Sequence, residues 1–504
     1  MKKLYVALGL IVALLALVIG LGPWYASRIT ERQITATVDA INQQGLFEAH
    51  YDRIAYNWFG QQGTLKLLPV DPRFKELQRN GTQEIVLRLS IAYGPIPVAA
   101  WRRDGISLMP VGAVIDTRID GLEKALRKSG SSYSLRDVVG LGGSNALKFH
   151  MTPGKLTNAK GDDIHWTASD LQLDQNGQHL RGSGHTGELT VAKEGPRPAH
   201  IRVTPIKLVI NDMQIVDNQS AGRYSISWDG MQANGPQKRR NTTFAFDIGK
   251  MKIEADTHFA QGVVAGKADM VLGGMSMREP ANAKTPLFAM KDMTLNSTTN
   301  DPKNDYTGSS VRWNVADINA KGQHYSPATL EMQMSHLYVP AMRDAIKALQ
   351  EMQRKLRTQR DVPPQFVFQR MAGVLMPPLQ RLVEHKPVLQ LTQLHLGTPN
   401  GALQGKGEAR IEPANGATPS LTTLPEDLVA QLTLNIPGPL AHQIAALALT
   451  RQGVPADQLA ETSQRYLDRL QNQGLLSQQG NDYSLELDYR NSTLLVNGRP
   501  VWRG

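Results

Sequence analysis

The dominant pattern along the chain is alternation of apolar and polar residues with a period of two. In "QEIVLRLSIAYGPIPVAAW", Gln83 to Trp101, Ile85, Leu87, Leu89 and Ile91 alternate with Glu84, Arg88 and Ser90, and Val86 alone breaks the rule. Such alternation predicts a strand with one face turned inward and the other wet. After Gly94 the prolines Pro95 and Pro97 lack N–H donors, so the segment there must lie on an edge or leave the sheet. The texture returns in "DIHWTASDLQLDQNGQHLRGSGHTGELTV" (Asp163 to Val191), where Asn176-Gly177 predicts a hairpin turn. It returns again in "IKLVINDMQIVD", "RYSISWDG", "TTFAFDIGKMKIEAD", "SSVRWNVADINAKG" and "QLTLNI". Short strands joined by Gly, Asn and Asp predict antiparallel sheet in long meanders. A short echo links "LRGSG" at 180–184 with "LQGKG" at 403–407, each following a turn and preceding an alternating strand.

Spacings of three and four replace the period of two in two places. Between Pro340 and Arg360, Met342, Ile346, Leu349, Met352 and Leu356 form one apolar stripe, and Phe366 to Val383 continues the pattern until Pro377-Pro378 disturbs it. A second helical pair is predicted from Pro439 to Arg451 and from Pro455 to Gln473, closing at Gly474. The chain then ends as a hairpin, with turns at Asn491-Ser492 and Asn497-Gly498 around a strand from Thr493 to Val496.

At the N-terminus, Leu4 to Tyr25 is a run of 22 residues without a charge. At about 1.5 Å per helical residue it spans the roughly 30 Å of a bilayer core. Secretory signals have shorter apolar stretches and small residues before the cut. Here a cut after Gly22 places Pro23 behind the scissile bond, and a cut after Ala26 places Trp24 three residues before it. The run therefore reads as an uncleaved signal anchor, with Trp24 and Tyr25 at the far interface. Lys2, Lys3 and the terminal amine precede it without any acid, which predicts a cytoplasmic N-terminus. The resulting expectation is an α+β, β-dominated fold: antiparallel sheet meanders with two helical-pair insertions, behind one N-terminal transmembrane helix. Its divisions are 1–27 as cytoplasmic tip and anchor, 28–335 as a β-rich periplasmic region, 336–385 as a helical pair, and 386–504 as strands, second helical pair and C-terminal hairpin.

The 504 residues include no cysteine, so the outer region is no disulfide scaffold and folds by burial alone. At 41% hydrophobic residues it has the means to build a sizeable core in two or more lobes.

Several short motifs taken in order resemble a known family. They are the basic N-terminus and single span, "YDRIAYNWFGQQGTLKL" (Tyr51 to Leu67), "YGPIP" (Tyr93, Gly94, Pro95, Ile96, Pro97), the helical stretch around 340–385, and the closing "LELDYRNSTLLVNGRPV". The pattern resembles the YdgA/YihF-like family of bacterial envelope proteins, with "YGPIP" its most distinctive part. The resemblance implies a protein of uncharacterised function on a Gram-negative inner membrane, and it supplies no catalytic residues.

A search for chemistry adds little. The twelve histidines show no H-E-x-x-H spacing, and cysteine-based zinc sites are excluded, so no catalytic, cofactor-binding or metal residue is assigned. His179 and His185 share the predicted hairpin near carboxylates such as Asp174 and Glu188, and read as surface residues rather than as ligands. "GVVAGKA" at 262–268 and "GALQGKG" at 401–407 have the wrong glycine spacing for a phosphate loop and read as strand and turn.

Charge supplies the remaining signal. The net of +10 is partly concentrated on one helix, where Arg343, Lys347, Arg354, Lys355 and Arg357 form a candidate face for anionic lipid headgroups. Nucleic acid is disfavoured because the basic residues are not interleaved with aromatics. The leading expectation is a noncatalytic inner-membrane protein with a large periplasmic domain, acting through envelope protein contacts or self-association. The alternative is a lipid or hydrophobic-ligand carrier whose sheet forms a groove. Alternation cannot separate them, because a face covered by helices and one covering acyl chains need the same residues.

Overall fold

A computed structural model describes residues 23, 25–42, 45–70, 84–94, 111–158, 161–195, 198–216, 219–236, 242–358, 364–413 and 416–503. The expected transmembrane helix falls almost wholly outside these residues. Among the described residues no helix is long and apolar enough to cross a membrane.

The chain is strand-dominated, as the alternation predicts. A helix α1 (25–42) leads into β1 (Phe47–Asn57), β2 (Gly60–Pro69), β3 (Ile85–Tyr93) and β4 (Val111–Ile119), then α2 (Leu122–Lys128). Next come β5 (Tyr133–Gly140), β6 (Asn145–Met151), β7 (Gly154–Thr157), β8 (Asp162–Trp166), β9 (Ser169–Asn176), β10 (His179–His185), β11 (Leu189–Lys193), β12 (Ala199–Val203), β13 (Ile206–Val216), β14 (Gln219–Trp228), β15 (Met231–Pro236) and β16 (Thr243–Ile248). The long strands follow: β17 (Met251–Ala260), β18 (Val263–Arg278), β19 (Phe288–Thr299), β20 (Tyr306–Ala320), the short β21 (Gln323–Tyr325) and β22 (Ala328–Tyr338). The first helical pair, α3 (Val339–Thr358) and α4 (Pro364–Glu384), precedes β23 (Val388–Thr398), β24 (Gly401–Ile411) and β25 (Leu428–Ile436). The second pair, α5 (Gly438–Arg451) and α6 (Leu459–Asn472), precedes β26 (Ser477–Gln479), β27 (Asp482–Arg490), β28 (Thr493–Val496) and β29 (Arg499–Arg503).

Both helical pairs sit where the three-and-four spacing places them. One detail differs. Pro377 and Pro378 lie inside α4 without ending it, although their missing N–H groups deprive the carbonyls of Gly373 and Val374 of donors.

Contacts divide the chain into two compact units. Residues Met1–Pro196, His200–Ile226 and Gln350–Phe368 form the first, and Arg197–Ala199, Ser227–Leu349 and Gln369–Gly504 the second.

In the first unit, β1 to β6 pair in sequence order, and β9, β10 and β13 continue the antiparallel meander. Period two puts Leu65, Leu87, Leu89, Ile91 and Ile115 on one face. Helix α1 covers it, burying Ala26 and Ile34 with Ala49, Leu65, Leu89, Ile91, Tyr93, Ala113, Ile115 and Val139. Each fully buried Leu or Ile contributes about 1.5–3 kcal/mol. The end of α1 is fixed by Asn42, whose Nδ2 donates to Ala49 O (3.2 Å) while its Oδ1 accepts from Ala49 N (2.7 Å).

In the second unit, β17 pairs with β18 along Val263 to Leu272, and β16 pairs with the far end of β18 on the same edge. The other edge of β18 starts a meander through β19, β20, β22, β23, β24, β25, β27, β28 and β29. The closing turns are those the sequence predicts: Asn491, Ser492 and Asn497 all adopt positive φ, followed by Gly498. The β9–β10 turn is displaced by one residue. Asn176 pairs with His179, so the loop is Gly177-Gln178, with Gly at the first position and φ of 59°.

Candidate functional site

Residues opposite one another in an antiparallel pair share a face, so the register can be followed across the second unit. One row runs Met251, Leu272, Met293, Val315, Ala328, Leu396, Leu403. The next runs Ile253, Met270, Leu295, Trp313, Leu330, Leu394, Gly405, Leu434, Leu485. A third runs Ala255, Ala268, Ser297, Val311, Met332, Leu391, Gly407, Leu432, Leu487, Val496. Together they make an apolar face ten strands wide, about 43 Å at about 4.8 Å per strand.

The other face of the same strands is polar. Lys252 pairs with Glu254 (2.9 Å), Arg312 faces Glu331 (3.8 Å), and Arg490 pairs with Asp488 (2.6 Å). Gln390 donates to Glu408 (2.9 Å), and Gln390 and Arg410 together hold the Glu408 carboxyl below its usual range. The sheet is therefore two-sided in chemistry, with solvent on one side only accounted for by its residues.

Part of the apolar face is covered. At one end, Val315 and Ala328 are buried with Met290 among Phe288, Trp313, Ile318 and Leu396. At the other, Ala441 and Ala445 of α5 and Leu467 of α6 pack against Tyr483 and Ile436. Neither cluster includes Leu330, Leu391, Leu394, Leu432, Leu434, Leu485 or Leu487, which are half-buried. Met334 and Leu389, opposite one another, are 42% and 45% exposed.

The glycines of the echo have a common function in packing. Gly405 lies between Leu394 and Leu434, and a Cβ there would stand 2.6 Å from Leu434 Cδ2. In the first unit, Gly182 and Gly184 lie between Leu173 and Ile210 and between Leu171 and Leu208, and a Cβ on Gly184 would stand 2.7 Å from Leu171 Cδ1. Both glycine pairs leave room for leucines of neighbouring strands to lie over them.

The residues singled out in the sequence fall in separate places. Lys2, Lys3, Trp24, Pro95 and Pro97 lie outside the described residues. Tyr25 begins α1 and is exposed. Arg343 and Lys347 are exposed on α3, whereas the side chains of Arg354, Lys355 and Arg357 lie outside those described. Tyr93 is 2% exposed, and burial pushes its hydroxyl pKa far above the usual value. Gly94 ends β3, where its N donates to Gly112 O (2.7 Å) and a Cβ would stand 1.6 Å from Val111 O. The strand before it is paired on both sides, so β3 is a central strand and not an edge. His179 meets Asp212 (3.1 Å) and His185 faces Asp170 (3.7 Å), rather than Asp174 or Glu188. Both glycine-lysine segments lie in strands, β18 and β24.

The strand texture of both units points one way when the chain is compared with protein families. The model of a family described as bacterial protein of unknown function (DUF945) matches residues 1–213 and 211–502. The chain belongs to DUF945. No curated protein and no solved structure matches it. What is particular to this DUF945 chain is thus carried by its own geometry, and the apolar sheet face that the alternation allowed is placed by that geometry on the second unit. The signal was present in the alternating strands, but only the register joins them into one surface.

Proposed function

We propose that this chain is an inner-membrane-anchored envelope protein of the YdgA/YihF-like kind, with its large region in the periplasm, and that the apolar face of its second unit holds acyl chains of a lipid or similar hydrophobic ligand. The observation that carries the reading is the continuity of that face. Ten strands contribute aliphatic and thioether side chains, and the middle of the face belongs to neither buried cluster. Leucine and methionine form a surface that adapts to flexible chains without directional contacts. The role is noncatalytic in this reading, in which the aliphatic side chains of the lining bind by burial.

The test is mass spectrometry of organic extracts from protein purified in mild detergent, compared with a Leu394→Asp, Leu432→Asp variant. Stoichiometric lipid in the parent and its loss from a variant that melts normally is the expected result. Absence of lipid from the parent would sink the reading.

A second reading, contact with an envelope protein or a second copy, has its own observation. Ile444 and Leu447 project from α5 and are more than half exposed, away from the side of the helix that buries Ala441 and Ala445. The lipid-free outcome above would favour that surface.

A further inference from the structure

The β1–β2 turn carries exposed aromatic side chains that the core does not use. Trp58 is 46% exposed and Phe59 60%, with Ile54 and Tyr56 also exposed beside them. The backbone of Phe59 in this turn is hydrogen-bonded at both its N–H and its C=O. Phe59 N donates to Asn57 Oδ1 (3.0 Å), and Phe59 O accepts from Tyr93 N (2.8 Å). Gly60 lies so close to β3 that a Cβ would stand 2.4 Å from Ile91 O. Two large rings are thus held outward on a fixed support.

The turn lies at a particular end of its unit. Helix α1 runs alongside β1 in the opposite direction: Asn42 is bonded to Ala49, and Glu31 pairs with Arg53. From Glu31 back to Tyr25 the helix covers about 9 Å, and from Arg53 on to Asn57 the strand covers about 13 Å. Tyr25, itself 53% exposed, and the Trp58-Phe59 turn therefore reach the same end. That is the end from which the uncharged run Leu4 to Tyr25 departs in the sequence. The Arg53 guanidinium stands 5.4 Å from the Tyr56 ring centre, which puts a cation among the aromatics.

We infer that the β1–β2 turn is a second membrane contact, in which Trp58 and Phe59 enter the headgroup boundary of the bilayer that holds Leu4 to Tyr25. The inference rests on the anchored reading proposed above. Indole and phenyl rings are favoured at that boundary, where an apolar ring meets wet polar groups. The Phe59 N–H and C=O, already hydrogen-bonded, enter it without being stranded. With the anchor as one contact and the turn as another, the first unit is held in a set orientation rather than swinging on its tether.

The absence of cysteine makes the test direct, because one introduced thiol takes one label. The full chain is reconstituted in vesicles of phosphatidylethanolamine and phosphatidylglycerol, with an environment-sensitive fluorophore on Val18→Cys, Phe59→Cys or Lys128→Cys. Lys128 is exposed at the end of α2, beyond the far end of β4, whose Ile119 lies level with Leu65, about 17 Å from the turn along β2. The expected result is a blue shift of the Phe59→Cys label and loss of its emission to lipids spin-labelled near the headgroup, with Lys128→Cys unchanged. Quenching of Val18→Cys alone overturns the turn contact while leaving the anchor. Quenching of all three labels also overturns it, since the unit would then lie flat. A silent Val18→Cys with a quenched Phe59→Cys supports the turn and refutes the span. Trp58→Cys replaces Phe59→Cys if that variant fails to melt cooperatively.

Discussion

Asp137 stands where the first unit has no use for a charge. Register places it on the apolar face of that sheet, between Ile115 on β4 and Leu147 on β6. Its Oδ1 is buried and has no hydrogen-bond partner among the described residues. Burial raises the carboxyl pKa above its usual value, and a bond from the Val138 backbone offsets only part of this. The sign follows from linkage. A folded-state pKa raised above the unfolded value means that the native state prefers the protonated acid. Stability is then highest below the unfolded pKa and falls as pH rises through the folded one. Once pH has risen above the folded-state pKa, the wild type carries the cost of a buried carboxylate that the Val138 bond satisfies only in part. Asp137→Leu is expected to remove about 1–3 kcal/mol of that cost. For a unit of this size that raises the melting temperature by roughly 2–12 °C. Melts followed by circular dichroism at pH 7 and at pH 4 check both parts, because the advantage of leucine should shrink as the wild-type acid becomes protonated. A variant less stable at pH 7, or an advantage unchanged at pH 4, would show that Asp137 has a partner or a task that its surroundings do not reveal.

Two further outcomes concern the end of β3. Gly94→Ala should cost several kcal/mol, because a Cβ 1.6 Å from Val111 O forces the β3–β4 pair apart, and chemical denaturation should show the loss with an unchanged m-value. Tyr93→Phe should be neutral or slightly stabilising, since the buried hydroxyl has no hydrogen-bond partner among the described residues, whereas Tyr93→Ala should cost about 3–5 kcal/mol; a destabilised Tyr93→Phe would reveal a bond to that hydroxyl.

What was legible in the sequence was local. Ile85 to Ile91 announces its strand because period two is a property of one segment, and Asn491-Ser492 announces its turn because few residues accept positive φ. The displacement of the β9–β10 loop to Gly177-Gln178 shows the limit, since Asn-Gly and Gly-Gln both satisfy a two-residue turn and strand pairing selects between them. The partners of His179 and His185 were not legible, because Asp212 and Asp170 become neighbours only through register. The same is true of the apolar face. Leu330, Leu394 and Leu434 each belong to an ordinary alternating strand, and nothing in any one strand says what lies over it. The glycine echo was visible as letters, and its meaning, a recess under facing leucines, needed the neighbouring strands.

The meander of the second unit also governs how it comes into being. From β17 onward nearly every strand pairs with the one made just before it, so each closure spans a short loop and costs little chain entropy. The exceptions are β23, which must wait for α3 and α4 to be made before it reaches β22, and β27, which must wait for α5 and α6 before it reaches β25. A chain made from its N-terminus can therefore build this sheet hairpin by hairpin, with a pause at each helical pair. During that growth the row of leucines lengthens strand by strand without a finished cover, so the half-built sheet shows more apolar surface than the complete one.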